Sequence, residues 1–272
     1  TVGGAVASFG RRLEWPDDFF RVMWSASIVE KEYDGSQADI DSYIGGLQTT
    51  RGVSLTQVLA RDSRDRAEFT TRGSKFQVET TYSGGLLGGN ENFQKHVLNL
   101  DWFSPTFSKF VLFSSLKVGV IKTLNVDSDT QSFIPFDERF IMGGNGIPYG
   151  NALRGYPDNS IGPTTTSGQA VGGNAMAKVT TELRFPLSEN PVIYFMTFAE
   201  MGNVWNTSSM SEPFYLKRYG PLSMQKSAGV GIRFFMPGIG LLGFDMGYGF
   251  DDITGDGNPN GWEYTITFGQ TY

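Results

Sequence analysis

From Gly261 to the end the chain reads G-W-E-Y-T-I-T-F-G-Q-T-Y, and its residues separate by parity. Trp262, Tyr264, Ile266, Phe268 and Tyr272 fall on one parity; Glu263, Thr265, Thr267, Gly269 and Thr271 fall on the other. Successive side chains of a strand point to opposite faces, so this pattern predicts a strand with one aromatic face and one small, polar face. Earlier segments repeat it. Leu242, Phe244, Met246, Tyr248 and Phe250 alternate with Gly243, Asp245, Gly247, Gly249 and Asp251. Ala228, Val230, Ile232 and Phe234 alternate with Ser227, Gly229, Gly231 and Arg233, while Ala177, Val179, Leu183 and Phe185 oppose Lys178, Thr180, Glu182 and Arg184. Near the start, Phe20, Val22, Trp24, Ala26 and Ile28 oppose Arg21, Ser25 and Ser27. The template predicts about eleven strands, near 2–13, 20–32, 53–61, 73–82, 93–103, 108–124, 175–187, 192–205, 226–236, 241–250 and 261–272.

A soluble sandwich alternates as well. Two features favour an all-β fold of another kind, an antiparallel transmembrane β-barrel. The apolar faces carry aromatics near strand ends, as interfacial girdles do, and the polar faces are rich in Gly and Thr with isolated charges, as a wet lumen is. The connections alternate in length too. Tight turns at 15–18, 104–107, 188–191 and 237–240 separate long polar connections at 34–52, 84–92, 125–174, 206–225 and 251–260, with 62–72 intermediate. Outer-membrane barrels have short periplasmic turns and longer extracellular loops, which places the C-terminus in the periplasm. An odd strand count then starts the chain outside the cell, whereas bacterial barrels have an even count. The expectation is that an odd number of strands precedes Thr1.

Composition narrows the classes further. No run of about 18 apolar residues occurs, so no transmembrane helix is predicted. The mean hydropathy of −0.22 does not argue against a barrel, in which only every second residue meets lipid. The net charge of −6 argues against a nucleic-acid partner, whose phosphates need a basic surface. With no cysteine there is neither a disulfide framework nor a thiolate metal site.

The 125–174 connection is where function is expected, because long loops in a repetitive wall are uncommon. It holds F-D-E-R-F-I-M-G-G-N-G at 136–146, L-R-G-Y-P-D-N-S-I-G-P at 153–163 and V-G-G-N-A-M-A at 171–177. Together with F-A-E-M-G-N-V-W at 198–205 and the ending F-G-Q-T-Y, this ordered set resembles the Omp85 family from about Ser8 to Tyr272. The resemblance implies a barrel of about 16 strands whose 1–272 portion is seen here, with the remaining N-terminal strands and the periplasmic POTRA domains outside this chain. It implies that the loop carrying Arg154, Gly155 and Tyr156 folds into the lumen, where Arg154 binds acidic wall residues. Glu182 in T-E-L-R-F matches one of these. Glu200 in F-A-E-M-G matches the other, at a position that is Asp in many relatives. Chemically the pairing is sound, since a guanidinium offers a rigid fork of donors to carboxylates.

The family reading implies a protein insertase and no covalent chemistry. Its partners would be nascent outer-membrane proteins, accessory lipoproteins, and outer-membrane lipid and lipopolysaccharide; no cofactor or metal is called for. A client would be templated at a lateral seam between the first strand, expected before Thr1, and the last strand, where Gly261 and Gly269 loosen packing and register and Tyr272 supplies a terminal aromatic. The competing readings are a TamA-like or two-partner secretion transporter of the same superfamily, a passive channel, and an outer-membrane enzyme. The last would need a serine with a base or an acid–His set. His96, the one histidine, shares parity with Leu98 and Leu100 and is expected to face outward. Asp251, Asp252, Asp256 and Asn258 lack the closing bidentate Glu of a calcium loop, and with Asp127 and Asp129 they read as solvated loop residues.

Overall fold

The computed structural model describes residues 1–35, 47–124, 134–146, 150–164, 168–207, 223–236, 238 and 240–268. Eleven strands follow one another: β1 (Val2–Arg12), β2 (Phe20–Glu32), β3 (Thr49–Asp62), β4 (Gly73–Ser83), β5 (Phe93–Pro105), β6 (Val111–Thr123), β7 (Ala175–Glu189), β8 (Val192–Trp205), β9 (Gln225–Met236), β10 (Gly240–Gly249) and β11 (Gly261–Phe268). They form one sheet in chain order. The pairings of β1 with β2, β2 with β3, and each neighbouring pair from β7 to β11 are antiparallel. Among the described residues, β1 and β11 each have a strand on one side only.

Each predicted strand is present, and two start three or four residues from the expected position for local reasons. β3 starts at Thr49 rather than at 53, because β2 continues to Glu32 and pairs with it. Thr50, read as loop for its polarity, is buried and donates to Glu91 at 2.7 Å. β6 starts at Val111 rather than at 108, because the preceding turn closes later: the Thr106 N–H donates to the Phe110 carbonyl at 2.9 Å. In the intermediate connection 62–72, the Asp65 carboxylate accepts the N–H groups of Arg66 and Thr71 at 3.0 and 2.9 Å. Residues 269–272 of the expected last strand lie outside the described residues, and with them Gly269 and Tyr272.

Two compact units can be distinguished. The first comprises Thr1–Arg61, Gln77–Leu98 and Gly119–Arg139, the second Asp62–Phe76, Asn99–Val118 and Phe140–Tyr272. In the first, Phe9 and Trp24 stack across β1 and β2 with centroids 6.2 Å apart, on an exposed face. His96 is exposed, as expected, with Nδ1 3.0 Å from the Thr80 hydroxyl. The second unit inverts the usual sidedness of a soluble protein. Along β7 to β11, Thr180, Glu182, Arg184, Glu200, Arg233, Asp245, Thr265 and Thr267 are buried, while Phe195, Ile232, Phe244, Trp262, Tyr264, Ile266 and Phe268 are exposed. An apolar face of this extent needs an apolar surround, and the polar parity read from the sequence is the buried one. Below the charges lies an apolar cluster of Phe69, Phe103, Val111, Phe113, Tyr194, Met196 and Leu241.

Candidate functional site

The described part of the long connection in the second unit folds on itself before it meets the wall. Phe140 and Gly173 exchange backbone hydrogen bonds at 2.9 Å, the Ile161 N–H donates to Met142, and the Leu153 N–H donates to Gly144. This pairing satisfies backbone groups that would otherwise be buried unbonded. It also buries Ile141, Met142, Leu153, Tyr156, Ile161 and Val171, which offsets part of the entropy of ordering a long loop.

Arg154 sits at the tip of this fold, 2 % exposed. Its Nη2 donates to Glu182 Oε1 at 2.6 Å and to Glu200 Oε1 at 2.8 Å. Its backbone N–H donates to Glu200 Oε2 at 2.8 Å. Glu200 thus holds both the side chain and the backbone of Arg154. Its guanidinium also lies 3.7 Å from the Phe198 ring centroid, a cation–π geometry that gains strength when desolvated.

Gly155 and Tyr156 seat the rest of the motif. Gly155 has φ +86°, a backbone conformation that side chains disfavour. An added Cβ there would lie 2.9 Å from Ser227 Cβ and 3.0 Å from the Gly249 nitrogen. From the wall side, a Cβ on Gly247 would lie 2.7 Å from the Gly155 nitrogen. The loop backbone therefore lies directly on a glycine track of β10. The Tyr156 hydroxyl is 2.6 Å from the Lys226 carbonyl and 3.0 Å from the Asp251 carboxylate. Burial raises the phenol above its usual pKa, so it stays a donor at neutral pH. Asn260 donates to the Gly155 carbonyl at 3.0 Å.

The structure brings together Arg154, Gly155, Tyr156, Glu182 and Glu200, and adds partners that sequence reasoning left as ordinary lumen lining. Arg184 Nε donates to Glu182 Oε2 at 2.8 Å. Lys178 Nζ lies 3.0 Å from Glu200 Oε1. Arg233 grips Asp245 through both terminal nitrogens at 2.8 and 2.7 Å, and Arg154 Nη1 is 3.5 Å from the same Asp245. Four cations thus face three carboxylates, and each carboxylate has a wall cation of its own besides Arg154. The signal available in the sequence was charge on the small-residue parity of β7, β9 and β10.

In the first unit, the start of the same connection is held by lysines. Lys31 Nζ bridges Glu91 at 3.1 Å and Asp137 at 2.8 Å, and Lys95 Nζ meets Glu138 Oε2 at 2.9 Å. Gly261, the expected loosener of β11, stands at the start of that strand. It has φ +89° and pairs with Gly249, so it turns the chain into the strand. Asp252 accepts the N–H groups of Gly255 and Gly257 at 2.6 and 2.7 Å, a turn-forming role.

A profile of the Omp85 superfamily domain matches residues 2–271. The chain belongs to the Omp85 superfamily. Within it, the chain is 26 % identical over 231 residues to the outer membrane protein assembly factor BamA of Nitratidesulfovibrio vulgaris, covering 83 % of this chain and 27 % of that protein. It is 29 % identical over 153 residues to BamA of Neisseria meningitidis serogroup B, covering 54 % and 18 %. This Omp85 chain therefore spans roughly a quarter or less of the curated relatives it matches. Its fold is that of the crystal structure of BamA from Haemophilus ducreyi lacking POTRA domains 1–3, with a TM-score of 0.75 at 18 % identity, covering 98 % of this chain and 54 % of that one. Family and fold together place the chain among the outer-membrane β-barrel proteins of the Omp85 superfamily, with similarity to these BamA proteins.

Proposed function

We propose that this chain is the C-terminal barrel portion of an insertase that folds nascent β-barrel proteins into the bacterial outer membrane. The observation that carries the reading is the buried lock of Arg154 on Glu182 and Glu200. A self-paired loop tied to the wall fills space that a passive pore would leave to water. The names of the BamA relatives support the assembly role.

The mechanism is one of barrier lowering. A strand entering lipid carries N–H and C=O groups that cost several kcal/mol each when unsatisfied. An edge strand can satisfy them by accepting the newcomer as a neighbour. β11, the last strand of the described sheet, is assigned this task, with Trp262, Tyr264, Ile266 and Phe268 turned to the apolar side. In this reading the tight turns and the C-terminus face the periplasm. Clients arrive there with accessory lipoproteins, and lipid and lipopolysaccharide surround the exposed face. No step makes or breaks a covalent bond.

The test is client folding by the full-length protein in liposomes. A urea-denatured reporter barrel is added, and its folded form is followed by heat-modifiable mobility on gels. The reading expects faster folding than in empty liposomes, and a return towards that baseline for Arg154→Ala. Wild-type liposomes that conduct ions but fold no reporter would make the protein a channel.

A further inference from the structure

The described residues show which backbone groups of β11 face away from β10. The Phe250 N–H donates to the Lys226 carbonyl at 2.9 Å, on the β9 side. N–H and C=O directions alternate along a strand, so the even residues of β10 bond towards β9 and the odd ones towards β11. Gly243, Asp245, Gly247 and Gly249 stand opposite Thr267, Thr265, Glu263 and Gly261. These odd residues of β11 spend their backbone groups on β10. Trp262, Tyr264, Ile266 and Phe268 point theirs the other way, to the edge.

One of these edge acceptors is already in use. Asn145 Nδ2 donates to the Ile266 carbonyl at 3.4 Å. Asn145 belongs to the long loop and is fixed within it: its N–H donates to Asp158 Oδ1 at 2.9 Å. Next to it, the Gly144 N–H donates to the Tyr156 carbonyl at 3.0 Å, and the Gly144 carbonyl accepts from Leu153 at 3.2 Å. Leu153 and Tyr156 flank Arg154 and Gly155, so the pairing that seats the lock also aims Asn145.

We propose that Asn145 is a placeholder on the templating edge, its side-chain amide holding the Ile266 carbonyl that an incoming strand must bond. The bond is long, which suits a group that must yield. Because Gly144 is paired to the Arg154 segment, release of the lock withdraws Asn145 and frees that carbonyl. The inference rests on the templating reading above and assigns to this one residue a hold on one acceptor of that edge.

The experiment uses the full-length protein in nanodiscs and a fluorescent synthetic peptide copying residues 261–272. A photoreactive residue at Trp262 reports whether the peptide lies on β11. Asn145→Ala is expected to bind the peptide roughly fivefold tighter than wild type, the effect of removing one competing neutral hydrogen bond. Asn145→Gln, which keeps the amide, should stay closer to wild type. Arg154→Ala should also bind more tightly, and adding Asn145→Ala to it should bring no further gain. Unchanged affinity in Asn145→Ala with tighter binding in Arg154→Ala overturns the role of Asn145 and leaves templating standing. No peptide binding or cross-link in any variant overturns templating, and this proposal with it.

Discussion

Arg154→Ala should destabilise the protein less than Arg233→Ala, although Arg154 is the motif residue. The substitution removes two charge-assisted hydrogen bonds and a guanidinium–ring contact. Each such bond contributes about 1.5–3 kcal/mol, and the buried ring contact about 2. Against this, burying the guanidinium costs several kcal/mol, and that cost disappears with it. Glu182 keeps Arg184 at 2.7 Å, Glu200 keeps Lys178 at 3.0 Å and Asp245 keeps Arg233 at 2.7 Å, so no carboxylate is stranded. The net loss is expected at about 1–3 kcal/mol. Arg233→Ala leaves Asp245 facing Arg154 only at 3.5 Å, too long for a hydrogen bond. Breaking a buried pair in this way costs about 3–5 kcal/mol. The assay is urea unfolding of the full-length protein in micelles, followed by tryptophan fluorescence. Limited chymotrypsin digestion supplies the local readout, since Phe140 and Leu153 are buried in the seated loop and become cleavable when the loop leaves. If Arg154→Ala costs as much as Arg233→Ala, the wall is not self-sufficient and the argument from its pairing is wrong.

Three further outcomes follow from the same geometry. Glu200→Gln should unseat the loop more than Glu182→Gln, because Glu200 receives the Arg154 backbone, the Arg154 side chain, Lys178 and Thr180; chymotrypsin cleavage after Phe140 and Leu153 would rank the two. Gly247→Val should drive a side chain into the Gly155 backbone and cost about 1–3 kcal/mol by overpacking, read as a lower urea midpoint with the loop protease-sensitive. Hydrogen bonds from Gly257 and Gly255 hold the Asp252 carboxyl below its ordinary value of 3.8. Its contribution to turn order is therefore complete above that value and lost as pH falls through the depressed one, and amide exchange at Gly255 and Gly257 across acid pH checks this.

The strands were legible because a barrel wall repeats one rule, apolar against polar at period two, for its whole length. The start of β3 moved because a polar residue is buried by a partner far along the chain, Thr50 by Glu91, and that of β6 because a local turn closes later. The lock was half legible. Arg154, Glu182 and Glu200 stood out through an ordered motif, whereas Arg233 and Asp245 looked like isolated lumen charges. What joins them is register: Arg233 stands opposite Gly243, and Asp245 opposite Gly231. Each long side chain leans into the room above a facing glycine and meets the other on the diagonal. A period-two pattern fixes which face a residue takes, but not which residue it faces across the ladder.

The chemistry of the seat follows from the inverted sidedness of the wall. An apolar loop tip would find as good a partner in lipid as in the protein, and its attraction to the wall would be non-directional. A guanidinium shared by two carboxylates has one geometry and one position, and it loses its advantage once water reaches both partners. Such a contact is firm while the loop shields it and weak once the loop lifts. The wall loses little on release, because Arg184, Lys178 and Arg233 remain on the carboxylates. On this reasoning the loop tip has two positions to choose between, the seated one observed and a lifted one that release would give. Through the pairing of Gly144 with Leu153 and Tyr156, that choice reaches Asn145 and the edge of β11.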